Sequence, residues 1–158
     1  YGRRQNIKDK YRNVLGIFMN QYLNGKFLTI FGDGTQLRNF TNVDDIMQPL
    51  YLAGTSEKAS KEIINIGSEV PHSVIEAAEM LISIMGGGLI KHLDGRHEVH
   101  TACADNTKSY KLLEYSHNTY LYEGLKDMYE WVKNNPCESE TITPEFEIKK
   151  GMYNAWKK

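Results

Sequence analysis

Two periodicities take turns along this chain, and their alternation limits it to a mixed α/β fold. Between residues 12 and 24, Val14, Leu15, Phe18, Met19, Tyr22 and Leu23 recur three and four apart, which puts them on one helix face. Asn24-Gly25 predicts the end of that helix, because both residues accept left-handed backbone angles. Phe27-Leu28-Thr29-Ile30-Phe31 reads as a short strand, Gly32-Asp33-Gly34 as a turn, and residues 38–41 as a second short strand. Asp44 is placed to cap a helix from 45 to about 54, with Ile46, Leu50 and Tyr51 as apolar positions. The β-branched run at 62–66, closed by Gly67, predicts a buried strand. Ser68 and Pro71 announce a helix carrying Val74, Ala77, Ala78, Leu81, Ile82 and Met85, and Gly86-Gly87-Gly88 stops it. Residues 89–93 form another strand, and Thr107 or Ser109 opens a short helix through Leu112 and Leu113. Leu121, Leu125, Met128, Tyr129 and Val132 mark a longer helix ending at Asn134-Asn135-Pro136. Phe146, Ile148, Met152, Tyr153 and Trp156 outline a last, shorter one.

At 158 residues and 41% hydrophobic content the chain can bury a core of its own. No repeat or Pro- or Ser-rich linker divides it, so 1–158 is read as a single unit. A net charge of −1 gives no basic field for nucleic acid or an acidic membrane, so neither is expected as a partner. No apolar run approaches a bilayer span and no leader pattern is visible, which points to a cytoplasmic location. Cys103 and Cys137 do not make a disulfide scaffold. Asn39-Phe40-Thr41 is a formal glycosylation sequon, discounted because nothing supports secretion. The start at Tyr1-Gly2, with no Met, points to a fragment or a processed product.

Few residues carry recognisable chemistry. Phe31-Gly32-Asp33-Gly34 lacks the Gly-Lys-Ser/Thr ending of a phosphate-cradling loop and reads as an ordinary turn. Gly86-Gly87-Gly88 follows a helix, whereas the dinucleotide fingerprint follows a strand. No cofactor phosphate loop is therefore expected within this chain. His92, His97 and His100, with Asp94 and Glu98, have no zinc-type spacing and read as solvated loop residues, so no metal is expected. Cys103 has no evident activating partner, and no Ser/His/Asp arrangement is recognised, so no catalytic residue is assigned. Arg38 and Arg96 stand apart. A guanidinium pairs bidentately with phosphate oxygens and stays charged at every physiological pH. Each follows a turn-rich segment, so the two suit a clamp on a diphosphate, although either alone also reads as a surface ion pair. Glu98 is able to accept hydrogen bonds from the vicinal hydroxyls of a ribose or sugar.

Tyr1-Gly2-Arg3-Arg4-Gln5, and then the unbroken run from Leu28-Thr29-Ile30-Phe31-Gly32-Asp33-Gly34 through Arg38-Asn39-Phe40-Thr41-Asn42-Val43-Asp44-Asp45, resemble the NAD-dependent nucleotide-sugar epimerase/dehydratase family. That family belongs to the extended short-chain dehydrogenase/reductases. Asn65-Ile66-Gly67, Gly95-Arg96-His97-Glu98-Val99, Ala104-Asp105-Asn106-Thr107-Lys108 and Glu123-Gly124-Leu125 continue the likeness to about residue 135. The part resembled is the C-terminal, substrate-binding half. The resemblance implies an α/β unit lacking most of the Rossmann domain. The strand at 62–66 would extend the parent's Rossmann sheet and leave an exposed edge in isolation.

The resemblance also implies that NAD and the catalytic Tyr-x-x-x-Lys pair belong to the missing half. Tyr22, Tyr122 and Tyr129 precede Lys26, Lys126 and Lys133 at that spacing, but outside the family's context, and read as helix-surface pairs. Carried over by position, Arg38 would bind the diphosphate, with Arg96 as a second phosphate contact and Glu98 on the ribose hydroxyls. Phe31 and the backbone of Thr29 would flank the base, and Asn13 and Val14 would lie near the sugar or its phosphate. The substrate implied is a nucleotide sugar of the UDP-hexose kind, epimerised or dehydrated by transient oxidation, with 4-epimerisation the nearest expectation. This chain alone is not expected to catalyse that reaction. The alternatives are a stand-alone nucleotide-sugar or partner-binding module, or one chain of a split enzyme completed by a Rossmann half; a homodimer partner is also open. Arg3, Asn39 and Asn42 replace the family's usual Pro, Asp and Tyr, which puts an ion pair and some packing in doubt.

Overall fold

The computed structural model describes residues 1–8 and 13–135. In chain order these form α1 (Val14–Leu23), β1 (Leu28–Phe31), β2 (Leu37–Arg38), α2 (Val43–Thr55), β3 (His72–Ser73), α3 (Val74–Met85), β4 (Ile90–Leu93), β5 (Thr101–Ala102), α4 (Thr107–Leu113) and α5 (Leu121–Asn134), with a 3-10 turn at Glu57–Ala59. β1 and β4 pair in parallel, with Phe31 opposite Leu93. β2 sits between β3, antiparallel to it, and β5, parallel to it.

The core lies where α1, α3 and α5 meet β1. Phe18 and Met19 of α1, Leu28 and Ile30 of β1, Leu81 of α3, and Leu125 and Met128 of α5 are all buried. Full burial of such a side chain is worth about 1.5–3 kcal/mol. Ala77 and Ala78, completely buried, present only methyl groups on the packed face of α3. Helix α3 starts with a reciprocal cap: Ser73 Oγ accepts from the Glu76 backbone N–H at 3.2 Å, and Glu76 Oε2 accepts from the Ser73 N–H at 2.7 Å. Gly86, at φ +81°, ends the helix in the left-handed conformation.

The helices and strands expected at 12–24, 27–31, 89–93 and 121–134 are present within a residue or two. Other expectations need correction. The cap of α2 is Asn42, whose Oδ1 accepts from the Asp44 N–H at 2.9 Å, while Asp44 lies in the first turn. Leu50 and Tyr51, named as apolar positions of this helix, are 62% and 69% exposed. The cap of α3 is Ser73, not Ser68, and the second strand is Leu37–Arg38. Residues 62–66 form no strand among the described residues, and Ile63 is 86% exposed. A β-branched run favours the pleated conformation, but a strand also needs a neighbour for its N–H and C=O groups. The C-terminal helix expected from Phe146 to Trp156, and Cys137, lie outside the described residues.

Candidate functional site

The parallel pairing of β1 and β4 brings two loops out side by side. Gly32 N–H donates to the Leu93 carbonyl at 3.0 Å, so the chain after Phe31 leaves next to the chain after Leu93. The first loop turns at Gly34, whose carbonyl accepts from Ile75 N–H at 3.0 Å, and reaches Arg38. Within it Asp33 Oδ1 accepts from the backbone N–H and hydroxyl of Thr35, and these bonds, the backbone one foremost, hold the Asp33 carboxyl below its ordinary range. The second loop carries Arg96 and Glu98 and closes where Leu37 N–H donates to the His100 carbonyl at 2.7 Å.

The two loops converge on one carboxylate. Arg38 Nη2 donates to Glu98 Oε2 at 3.0 Å, and Arg96 Nε donates to Glu98 Oε1 at 3.3 Å. The three side chains are 23–29% exposed, so the cluster is open to solvent on one side. Arg38 is steadied by Nη1 bonds to the carbonyls of Leu37 at 2.7 Å and His100 at 3.2 Å. The Arg96 guanidinium stacks on the Phe31 ring, 4.4 Å from its centroid. The arrangement is a flat aromatic surface beside two cations that share one anion. It leaves one net positive charge, suited to an incoming phosphate group.

Phe31, Arg38, Arg96 and Glu98 are thus brought together. The other residues expected to touch ligand have different neighbours. Asn13 caps α1, its Oδ1 accepting from Gly16 N–H at 3.2 Å and from Gln5 Nε2 at 2.9 Å. Val14 packs against the core. Thr29 donates its N–H to Gln21 Oε1 at 3.0 Å and accepts at its hydroxyl from Gln21 Nε2 at 2.7 Å. One buried residue was missed: Gln36, whose Nε2 donates to Glu98 Oε1 at 3.2 Å. No motif signals it, because a single Gln between a turn and a strand has no sequence signature.

Of the tyrosines at Tyr-x-x-x-Lys spacing, expected as helix-surface pairs, Tyr129 is instead buried in the core. Tyr22 Oη donates to the Met85 carbonyl at 2.7 Å, and Tyr129 meets the Tyr22 ring edge-on. Burial raises the Tyr129 hydroxyl above its ordinary pKa. Tyr122 is exposed on α5. Among the described residues no three His, Cys, Asp or Glu side chains are grouped to hold a metal ion.

Among the described residues the glycines do not form a dinucleotide cradle. A dinucleotide cradle needs glycines between a strand and the N-terminus of a helix. Gly32 and Gly34 lie between β1 and β2, and Gly86 and Gly87 follow the C-terminal end of α3. No helix of the described residues is long and apolar enough to cross a membrane.

Fold and site together define an α/β unit with two arginines paired to one carboxylate beside an aromatic ring. The family model described as the NAD dependent epimerase/dehydratase family matches residues 1–67. The chain is 31% identical over 131 residues to the UDP-N-acetyl-alpha-D-glucosaminuronate decarboxylase of Bacillus cytotoxicus, covering 78% of this chain and 40% of that protein. It is 34% identical over 113 residues to the UDP-glucuronate 4-epimerase of Thermodesulfobacterium geofontis, covering 70% of this chain and 34% of the relative. Its structure is similar, at a TM-score of 0.76 and 34% identity, to UDP-glucuronic acid 4-epimerase from Bacillus cereus in complex with UDP-glucuronic acid and NAD, covering 85% of this chain and 42% of that one. This chain belongs to the NAD-dependent nucleotide-sugar epimerase/dehydratase family. It spans about 40% or less of the length of these curated relatives.

Proposed function

We propose that this chain is the nucleotide-sugar-binding portion of an NAD-dependent epimerase or dehydratase, with a UDP-hexose as substrate. The convergence of Phe31, Arg38, Arg96 and Glu98 on one open cluster carries the reading. Arg38 and Arg96 would grip the diphosphate, Phe31 would lie against the base, and Glu98 would take the ribose hydroxyls. Hydride transfer and acid–base work are proposed to fall to the remainder of a longer or two-chain enzyme, which would bind NAD. The similarity to a solved relative holding UDP-glucuronic acid supports the substrate class.

One surface feature favours a chain completed by a Rossmann half over a stand-alone module. Met47, Leu50 and Tyr51 on α2 are 55–69% exposed, and 62–66 lies without strand pairing among the described residues. Apolar side chains on one helix, and a β-branched run without a partner, suit burial against a further α/β layer.

The test is a calorimetric titration of the 158-residue chain with UDP-glucose and UDP. The reading expects measurable binding of both, weakened about tenfold or more by Arg38→Ala and by Arg96→Ala. Affinity for neither ligand, or affinity indifferent to both substitutions, would remove the reading.

A further inference from the structure

Gln36 has no part in the ligand contacts proposed above, and at 9% exposure its side chain is covered. It lies on the run between the Gly34 turn and β2. Its Nε2 donates to Glu98 Oε1 at 3.2 Å and reaches the Phe31 carbonyl at 3.4 Å. Arg96 Nε meets that same Oε1 at 3.3 Å, while Arg38 Nη2 takes Oε2 at 3.0 Å. Donors from three residues on two loops therefore hold one carboxylate, with Gln36 and Arg96 on Oε1 and Arg38 on Oε2. Oε2 has Arg38 and one further acceptor position, since a carboxylate oxygen accepts about two hydrogen bonds.

The chemistry of the position suits an amide. A carboxylate at residue 36 would repel Glu98, and an ammonium would add a third cation that competes for it. A neutral N–H donor orients the carboxylate without changing the charge of the clamp. It also anchors Glu98 to the Phe31 backbone, and the Phe31 ring carries Arg96.

We infer that Gln36 is a positioning residue that pins Glu98 Oε1, so that Oε2 exchanges Arg38 for the ribose hydroxyls when a diphosphate engages Arg38. This rests on the nucleotide reading above. A phosphate needs only charge at the site, but a vicinal diol needs an acceptor held in a fixed direction. Gln36 therefore affects discrimination between a ribonucleoside diphosphate and its deoxy analogue more than overall affinity.

The experiment titrates the 158-residue chain, its Gln36→Met, Glu98→Ala and doubly substituted forms, with UDP and with 2′,3′-dideoxy-UDP. The unsubstituted chain is expected to prefer UDP by about tenfold. Gln36→Met is expected to remove most of that preference while binding dideoxy-UDP within about twofold of the parent, and to have no further effect once Glu98 is Ala. Equal loss for both ligands, or a further loss in the Glu98→Ala background, overturns the inference. If the unsubstituted chain binds neither ligand, the nucleotide reading fails. The positioning role is then read from the Arg96 Nε–H resonance: displacement by Gln36→Met supports it, and an unmoved signal overturns it. Should Gln36→Met unfold the chain, Gln36→Asn, which withdraws the amide by one methylene, is read in the same way.

Discussion

Asp45 holds Thr119 twice: Oδ2 accepts from the Thr119 backbone N–H at 3.1 Å, and Oδ1 accepts from its hydroxyl at 2.8 Å. The pair joins the first turn of α2 to the approach to α5 across 74 residues of sequence. Asp45 is 8% exposed, so its carboxylate is sheltered from water, while Thr119 is half-buried. Asp45→Ala removes two charge-assisted bonds and leaves the Thr119 N–H without its acceptor. The expected cost is about 2–3 kcal/mol, read from urea denaturation. Asp45→Asn keeps one acceptor and is expected to cost less than half as much. Equal stability of all three forms would mean that α2 and α5 are held elsewhere.

Gly34 turns the chain toward the clamp at φ +83°, and a Cβ there would lie 2.9 Å from Ile75 Cβ and 3.0 Å from Ile30 Cγ2. Gly34→Ala therefore combines an unfavourable backbone angle with a collision against two packed side chains. A loss of more than about 2 kcal/mol is expected, together with a displaced Arg38. Gly25, also at positive φ but with nothing near its missing Cβ, isolates the backbone effect, and Gly25→Ala is expected to cost only about 1–2 kcal/mol.

The cap of α3 is expected to respond to pH. The Ser73 backbone N–H, and then the Ser73 hydroxyl, hold the Glu76 carboxyl below its ordinary value of 4.5. A carboxylate with a depressed folded pKa adds stability above the unfolded value and loses it as the pH falls through the folded one. Glu76→Gln is expected to lower stability modestly at pH 7 and to make no difference well below the folded pKa. Ser73→Ala is expected to cost about 1 kcal/mol at pH 7. A Glu76→Gln deficit that persists undiminished in acid would show that the loss is not electrostatic.

The long elements were legible because each carries its own period. α1, α3 and α5 repeat apolar residues every three or four positions, and β1 and β4 are short apolar runs between turns. Two-residue ladders such as β3 and β5 were not, since their pairing is fixed by the β2 backbone rather than by their own side chains. The run at 62–66 had the composition of a strand and lacked the partner, which composition does not reveal. At the site, Arg38, Arg96, Phe31 and Glu98 were named from chemistry and resemblance, and the fold gathers them. Gln36 was invisible because its role exists only once two distant loops meet.

The three departures from the family pattern all have partners. Arg3, in place of Pro, pairs with Asp127 at 2.6 Å. Asn39, in place of Asp, donates from Nδ2 to the Ser68 carbonyl, which a carboxylate does not do. Asn42, in place of Tyr, caps α2. The Arg3 and Asn39 bonds are long-range, whereas the Asn42 cap is local to the start of α2.

Phe31, Arg38, Arg96 and Glu98 are proposed to form one nucleotide-sugar site. The most direct test is a titration of the isotopically labelled 158-residue chain with UDP-glucose, followed by amide and arginine side-chain resonances. Saturable shifts are expected, concentrated at Phe31, Gln36, Arg38 and residues 95–98, with α5 unmoved. Shifts confined to other surfaces, or none at millimolar ligand, would contradict it.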